Sequence, residues 1–500
     1  MKNLLIKNCK ISSVLLVLLF ALLSTQSLYS EETKQLRAAI HTHSTVSDGK
    51  YSLEDLSKIA KDKDIDVLII TDHALIKAEY GIPLFRNFLK LPITLSSIIK
   101  YGPDKYLDEI DKVNKKNQDI IVIPGSEVTP FYYWSGNPFK KNLTINNWQK
   151  QILVIGYKNK KEIKNLPIAS NNIFSPGVLK LLNLLWPIVF IIIGIKVYAV
   201  KKDKELKLEL QTLRIKKQPY KKIGAVLIVL GVMFSFNNTL SLWRKYDLYH
   251  GDIGISPYQD LIDYANKNDL LCFWSAPEAS SNKTVRGVRI RTEPYPNDLL
   301  KSSSYTGFGI LYEGYRKVGG IGGVWDKALM EYCNGKREKP VWAIGEIDFH
   351  GNESGKQINS VQTVLQNCKK KKNAVLKSLK NGNMYALYRC KDYSLILENF
   401  KIITKDNTSY SMGQTATAQK RFNILIKVSC SDRQEREITI NLVKNGKLFK
   451  KIQAKTPFAR IISDMPDTKK SYYRLDIRGK YPNIIISNPV FVKKLQGDKY

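Results

Sequence analysis

The sequence predicts an α/β fold whose parallel strands bring their C-terminal ends to one shared site. An inserted helical hairpin splits this fold, and a C-terminal β-sandwich-like module follows it. Three observations carry that expectation. Short apolar runs repeatedly end in histidine or carboxylate, two apolar stretches of bilayer length interrupt the series, and from about residue 395 the hydropathy period falls to two. At 500 residues and 43% hydrophobic content, the chain can build a large core and a smaller one beside it. The six cysteines (Cys9, Cys272, Cys333, Cys368, Cys390, Cys430) contain no CxxC pair, which excludes a disulfide-dense scaffold and a CxxC zinc or redox site. The 79 Lys and Arg against 45 Asp and Glu give a net charge of +34, which favours anionic surfaces such as lipid head groups, phosphorylated polymers or nucleic acid. A Lys-, Ile- and Asn-rich compositional bias would give the same excess with no binding role.

Residues 1–30 read as a signal peptide or N-terminal anchor. Lys2, Lys7 and Lys10 precede an apolar stretch from Ile11 to Leu23, and the small, polar run Ser24-Thr25-Gln26-Ser27 follows. Cleavage is expected near Ser27 or Ser30.

The first strand-like run, Leu36 to Ile40, leads into His41-Thr42-His43-Ser44-Thr45-Val46-Ser47-Asp48-Gly49. On an extended segment, His41 and His43 project to one side, so both imidazoles can reach one metal ion. Asp66 to Ile70 leads into Thr71-Asp72-His73, Ile120 to Ile123 into Pro124-Gly125-Ser126-Glu127, and Val341 to Ala343 into Gly345-Glu346-Ile347-Asp348-Phe349-His350. Only five histidines occur in the chain, and four of them lie in these segments. A single such histidine reads as a hydrogen-bonded loop residue; the whole set reads as strand ends converging on metal.

These segments resemble the PHP family, the polymerase and histidinol phosphatase superfamily of metal-dependent phosphoesterases. HTHSTVSDG, TDH, PGSE and DFH occur in the family's order, and the resemblance covers residues 36–157 and 250 to about 390. It implies a distorted (β/α)7 PHP-type barrel with up to three divalent ions, zinc, manganese or iron, at the C-terminal ends of the strands. Carried over by position, His41, His43, Glu127 and Asp348 hold the first ion, with Glu127 bridging to a second. Asp48, His73 and His350 hold the third, and Glu127 and Asp348 are the carboxylates expected to be catalytic. The second site departs from the family, because its two histidine positions read Gln151 and Ser275, and neither is a good ligand for a borderline ion. Two ions are therefore expected to bind well, with the second site weak, empty or completed by Glu278 or His250.

The barrel strands are expected near 36–41, 66–70, 120–124, 152–156, 270–274, 307–312 and 341–347. This divides the barrel into 36–175 and 244–392, with a transmembrane hairpin over 178–243 inserted between the fourth and fifth strands. The apolar stretches of that hairpin run from Val178 to Val200 and from Ile223 to Trp243, and buried core helices are the alternative reading. Residues 201–222 between them hold nine basic residues against Asp203, Glu205 and Glu209, so the positive-inside rule makes this loop cytoplasmic. Both flanking parts then lie outside, in agreement with an exported N-terminus. The segment from Asn359 to Leu387 reads as one helix with a basic surface, in which Val375, Leu376 and Leu379 keep helical spacing. Residues 395–500 form the β-sandwich-like module, with a hairpin turn at Asn445-Gly446.

The function expected from this is an exported, membrane-tethered hydrolase that attacks a phosphoester with a metal-activated water. Its substrate is a phosphorylated small molecule or an envelope component, and Arg86, Arg286 and Arg289 are candidate grips for phosphate. One alternative is a metallohydrolase of non-phosphate esters. Another is a degenerate metal-binding barrel that serves as an envelope binding module. A role in nucleic-acid synthesis is disfavoured by export and by the lack of a polymerase-sized extension.

Overall fold

Val67-Leu68-Ile69-Ile70 and Ile152-Leu153-Val154-Ile155 are buried at every position, as strands covered on both faces must be. The computed structural model describes residues 34–208, 211–311, 313–352 and 356–495, so the expected signal at 1–30 lies outside the described residues. Seven strands carry the expected runs: β1 (Lys34–Thr42), β2 (Val67–Ile70), β3 (Ile121–Val128), β4 (Ile152–Ile155), β5 (Leu271–Trp274), β6 (Gly307–Leu311) and β7 (Trp342–Gly345). Their hydrogen-bonded order is β7-β6-β5-β4-β3-β2-β1, and the sheet continues from β1 into β8 (Val361–Cys368) and β9 (Met384–Tyr388).

The expectation that all seven strands run parallel needs correction. β4 is antiparallel to both β3 and β5, whereas the other neighbours among β1 to β7 are parallel. The link from β3 to β4 contains only the short strands Tyr133–Ser135 and Thr144–Asn146 and one 3-10 turn, with no helical crossover to carry the chain to the other end. β4 therefore starts at the end where β3 finishes, which brings Gln151 to the same end of the sheet as Glu127.

β1 divides its outer edge between two partners. Leu36 to Ala38 pair with β8, whereas beyond them the chain after β7 returns to β1. There Ile347 N–H donates to Ile40 O (2.9 Å), Phe349 N–H to His41 O (3.0 Å) and His43 N–H to Phe349 O (2.9 Å). Helices α1 (Leu53–Asp62) and α2 (Pro103–Lys116) flank this sheet, and α2 buries Tyr106, Ile110 and Val113 against it.

The apolar stretch Val178–Ala199, whose longer helix is α3 (Trp186–Ala199), and α4 (Lys221–Ser241) are both long and apolar enough to cross a membrane. They pack on each other through glycines: a Cβ on Gly224 would lie 2.5 Å from the Tyr198 backbone nitrogen. Ile188, Ile192 and Ile195 of α3 and Val226 and Val229 of α4 are exposed, so these are not buried core helices. Between them, Lys202–Leu208 pairs with Gln211–Lys217 as a two-stranded ribbon, which the sequence reading did not foresee.

The helix expected from Asn359 to Leu387 is also corrected. Val361–Cys368 is β8, α5 covers only Lys372–Asn381, and Met384–Tyr388 is β9. The β-branched run Val361, Thr363, Val364 is buried between two strands, and Gly382 in a left-handed conformation (φ 74°) stops the helix. Val375 and Leu379 do form the buried face of α5.

Beyond β9 the chain builds two sheets. Strands at Ile484–Ser487, Lys470–Arg478, Glu437–Lys444 and Lys447–Lys455 extend the main sheet from β9, while Ser409–Ser411, Leu395–Ile403, Phe422–Cys430 and Phe458–Asp464 form a second. A cluster including Tyr385, Leu397, Ile424, Ile440 and Leu475 fills the space between them. Arg474, fully buried, bonds Asp326 through Nε (2.7 Å) and Nη2 (2.7 Å), which ties this part to the helix Val324–Cys333.

Candidate metal centre

The centre begins at the end of β1. Its pairing with β2 slips between Ile40 and Thr42, and His41 takes a left-handed conformation (φ 71°) that a β-strand does not offer. His41 and His43 then lie with ring centroids 5.2 Å apart, and both face Glu127 at the end of β3. Asp72 fixes the turn that follows. It accepts from Ser44 N–H (2.8 Å), Ser44 Oγ (2.6 Å) and Ser47 Oγ (2.6 Å), so the Asp of the TDH motif holds the loop and does not face the ions' place. A Cβ on Gly49 would collide with the carbonyl of His43, which explains the glycine after Asp48.

All seven residues expected to bind metal come together. Asp48 lies 3.2 Å from His43 Nδ1, 3.4 Å from His73 Nε2 and 3.3 Å from His350 Nε2. Glu127 lies 3.1 Å from His41 Nε2, 3.7 Å from His43 Nε2 and 3.1 Å from His73 Nδ1. Asp348, itself at φ 49°, places Oδ1 3.4 Å from His41 Nε2, 3.6 Å from His43 Nε2 and 3.5 Å from His350 Nδ1. Among the described residues, two groups have ligand atoms all within 4.8 Å of one another: His43, Asp48, His73 and His350, and His41, His43 and Glu127. His43 thus belongs to both, whereas the carry-over from the family placed it with the first ion alone.

The donors suit a divalent ion. His41 Nε2 and His43 Nε2 are buried and make no hydrogen bond, although carboxylate oxygens stand around them. A buried nitrogen left in this way is costly unless a ligand takes it, and the imidazole and carboxylate set matches zinc, manganese or iron. Protons partly occupy the metal's role in the electrostatics. Burial works against charge on His41, His73 and His350, yet neighbouring carboxylates outweigh it: His41 and His73 lie above the usual imidazole range and His350 is raised to about 9. Burial lowers His43. Although burial opposes the shift, the surrounding imidazoles depress Glu127 to about 2 and hold Asp48 well below the carboxylate range.

At Ser275, one of the two positions that the resemblance assigns to a second ion, the neighbouring group is the carboxylate of Glu346. Ser275 Oγ donates to Glu346 Oε2 (3.0 Å), Ala276 N–H donates to Glu346 Oε1 (2.6 Å), and His41 Nδ1 lies 3.1 Å from Glu346 Oε2. A carboxylate only accepts, so a neutral His41 would carry its proton on Nδ1 and leave Nε2 free for an ion. Glu346 fits because residue 309 is glycine, where any Cβ would collide with the carboxylate. Beside it opens a cavity of about 220 Å³ whose walls include His41, Glu127, Gln151, Ser275, Lys283 and Glu346.

Neither candidate to complete the second site reaches it. Glu278 is held by the backbone N–H groups of Lys317 and Val318 (2.7 Å each), and the exposed His250 pairs with Asp247 (2.7 Å). None of the expected phosphate grips Arg86, Arg286 and Arg289 lines this cavity. Arg86 stacks on Tyr249, Arg289 bonds Asn282, and Lys283 is the cation on the cavity wall. The sequence reading gave no role to Glu346 and Asp72, which hold His41 and the turn bearing Asp48, or to Lys283 on the cavity wall. Glu346 stands two residues before Asp348 in a motif already singled out, so an acidic residue there was the available signal.

No curated protein matches the chain. Three similar solved structures are a two-domain protein from Bacteroides vulgatus containing a predicted PHP-like metal-dependent phosphoesterase, an inferred metal-dependent phosphoesterase from Bifidobacterium adolescentis, and an amidohydrolase from Chromobacterium violaceum with bound sulfate and no metal. The first has 12% identity, covers 89% of this chain and 90% of its own, and gives a TM-score of 0.32. The second has 12% identity, covers 64% and 90%, and gives 0.26. The third has 10% identity, covers 64% and 89%, and gives 0.26. The family model of the PHP domain matches residues 39–229, a span that contains His41, His43, Asp48, His73 and Glu127. Across residues 39–229, this chain is similar to the PHP domain.

Proposed function

We propose that the chain is a membrane-anchored, metal-dependent hydrolase of phosphoesters whose metal centre faces the outer side of the membrane. The observation that carries this reading is the pair of buried, unbonded nitrogens, His41 Nε2 and His43 Nε2, set among Asp48, Glu127 and Asp348. His41, His43, Glu127 and Asp348 would hold one divalent ion and Asp48, His73 and His350 another, with His43 in reach of both. Bound ions supply positive charge to phosphoryl oxygens and lower the pKa of water, so no side-chain nucleophile is required. The chain's own residues set the stage for this chemistry. Glu346 fixes the tautomer of His41, Asp72 holds the turn that bears Asp48, and Lys283 on the cavity wall offers charge to a phosphate. The fold that goes with this reading is a distorted (β/α)7 barrel, supported by the return of residues 347–349 to β1. Anchoring is supported by two helical stretches of 22 and 21 residues with outward apolar faces.

The test is elemental analysis of detergent-purified protein, together with turnover of p-nitrophenyl phosphate and of its bis-ester. About two ions per chain are expected, with turnover that His43→Ala and Asp348→Ala abolish. Bound metal without turnover on either ester would favour the second reading, an envelope binding module. The specific observation behind that reading is Glu346, which takes up the donors of Ser275 and Ala276 where a further ion would otherwise be held. Turnover of carboxylic esters alone would instead support a metallohydrolase of non-phosphate esters.

A further inference from the structure

His73 is followed closely by a two-stranded hairpin, Lys77–Gly81 paired with Lys90–Thr94, whose first strand packs on Tyr132, Trp134 and Tyr249 while its tip and second strand stand exposed. From 82 to 95 it reads IPLFRNFLKLPITL, with Arg86 and Lys90 its only charges and no acidic residue. Ile82, Leu84, Leu89, Leu91, Ile93 and Leu95 are all exposed, Leu84 and Leu91 to 72%. Six large aliphatic side chains exposed within fourteen residues are not the surface of a loop that lies in water.

The hairpin is fastened to the end of α4 that meets the globular part. Phe85 stacks on Phe234 (centroids 4.9 Å), and Phe88 packs on Phe236 (5.6 Å). Asn87 N–H donates to Asn237 Oδ1 (2.9 Å), and Asn87 Nδ2 donates to Asn237 O (3.0 Å). At its base, the buried Glu79 binds Lys77 (2.6 Å), Lys90 (2.8 Å) and Arg244 just beyond α4 (2.5 Å). Asn237 and Phe234 precede Ser241, the last residue of α4, by four and seven residues, so at 1.5 Å per residue the tip reaches about 6–10 Å down the helix. That matches the depth at which interfacial elements bury their apolar faces, and apolar side chains with only basic companions are their signature.

We propose that residues 82–95 form a lipid-inserted wedge, seated in the outer-leaflet interface beside α4, which holds the His73 side of the metal centre against the bilayer. The occupant of this apolar surface is acyl chain and head group, continuous with the outward faces of α3 and α4. The proposal rests on the membrane reading above, and its test separates the two. The full chain is reconstituted in phosphatidylcholine nanodiscs with a spin label at Leu84→Cys or Leu91→Cys. Val229→Cys in α4 serves as the lipid reference and Leu448→Cys, at the exposed Asn445-Gly446 hairpin, as the water reference. The wild-type chain labelled in the same way gives the background from native cysteines. Relaxation by oxygen is compared with relaxation by a water-soluble nickel chelate.

The expected result is that positions 84 and 91 behave as position 229 does, several-fold more accessible to oxygen relative to nickel than position 448. If 84 and 91 follow 448 while 229 keeps its lipid pattern, the wedge is wrong and the anchor stands. If 229 itself follows 448, the anchor and the wedge fall together. Labels at 84 and 91 shielded from both agents would mean that protein, such as a second copy of this chain, covers the surface, and would overturn the proposal.

Discussion

His41 reaches Glu127 and Asp348 through a left-handed backbone conformation, and its other nitrogen rests on Glu346, so one residue links the strand, the ion ligands and the altered second site. Replacing Glu346 by Gln keeps the shape but lets the side chain present an amide to His41, which no longer dictates the tautomer. Zinc affinity measured by competition with a chelator is expected to fall about 10–100-fold in Glu346→Gln. Unchanged affinity would remove Glu346 from the centre. Proton occupancy gives a second outcome at this scale. In the metal-free protein His350 is raised to about 9 from an ordinary 6.5, so the stability it lends is present in full below 6.5 and is lost as the pH rises through 9. His73 is shifted in the same direction. The Tm in chelator is therefore expected to fall between pH 6.5 and 9, while the metal-loaded protein, whose imidazoles are neutral, shows no such fall. A metal-free Tm that is flat over this window would contradict the assignment of charge. The candidate ligands were legible because each lies after a short apolar run, a pattern local in the chain. The roles of Asp72 and Glu346 were not, because a carboxylate beside a ligand reads alike whether it turns towards the ions or away to a serine hydroxyl.

At the scale of elements, every strand from β1 to β7 was visible as an apolar run, but direction was not. β4 has the same apolar composition as the parallel strands of the sheet, and the helix-free link before it reverses it. β8 was hidden for another reason. The sequence reading extended the helical spacing of Val375 and Leu379 backwards over Val361–Cys368, whose burial on both faces depends on β1 and β9, strands distant in sequence. The C-terminal hairpin, by contrast, was local: Asn445 and Gly446 both take positive φ (50° and 76°), as a two-residue primed turn requires. Besides the strand pairing with β9, a buried ion pair joins the C-terminal strands to the rest. Arg474 meets Asp326 with two 2.7 Å bonds while its guanidinium lies 4.8 Å from the Trp325 ring. Asp326→Asn leaves that charge buried without its counter-ion, and a loss of about 3–5 kcal/mol in denaturant unfolding is expected. A loss below about 1 kcal/mol would show that water reaches Arg474.

For the whole molecule, the decisive relation is between the anchor and the metal centre. The hairpin departs from and returns to one place, where Ser175 N–H donates to Leu242 O (2.7 Å). The adjoining segments pack on the loop beyond β3: Ala169 N–H donates to Pro130 O (2.9 Å) and Trp134 N–H to Leu248 O (2.7 Å). Since Glu127 and Val128 end β3, the two apolar helices leave from the end of the sheet that carries the candidate metal ligands. Topology then decides which compartment supplies the substrate. On the proposed topology, the nine basic and three acidic residues at 201–222 keep the loop on the cytoplasmic side, so a reporter inserted there is expected to be active only if it works in the cytoplasm. A reporter at the C-terminus should show the opposite activity, since it lies on the same side as the metal centre. If the inserted reporter were active outside, the metal centre would face the cytoplasm. Its substrates would then be intracellular phosphoesters near the inner leaflet, and the lipid wedge would sit in that leaflet, with the chemistry of the centre unchanged.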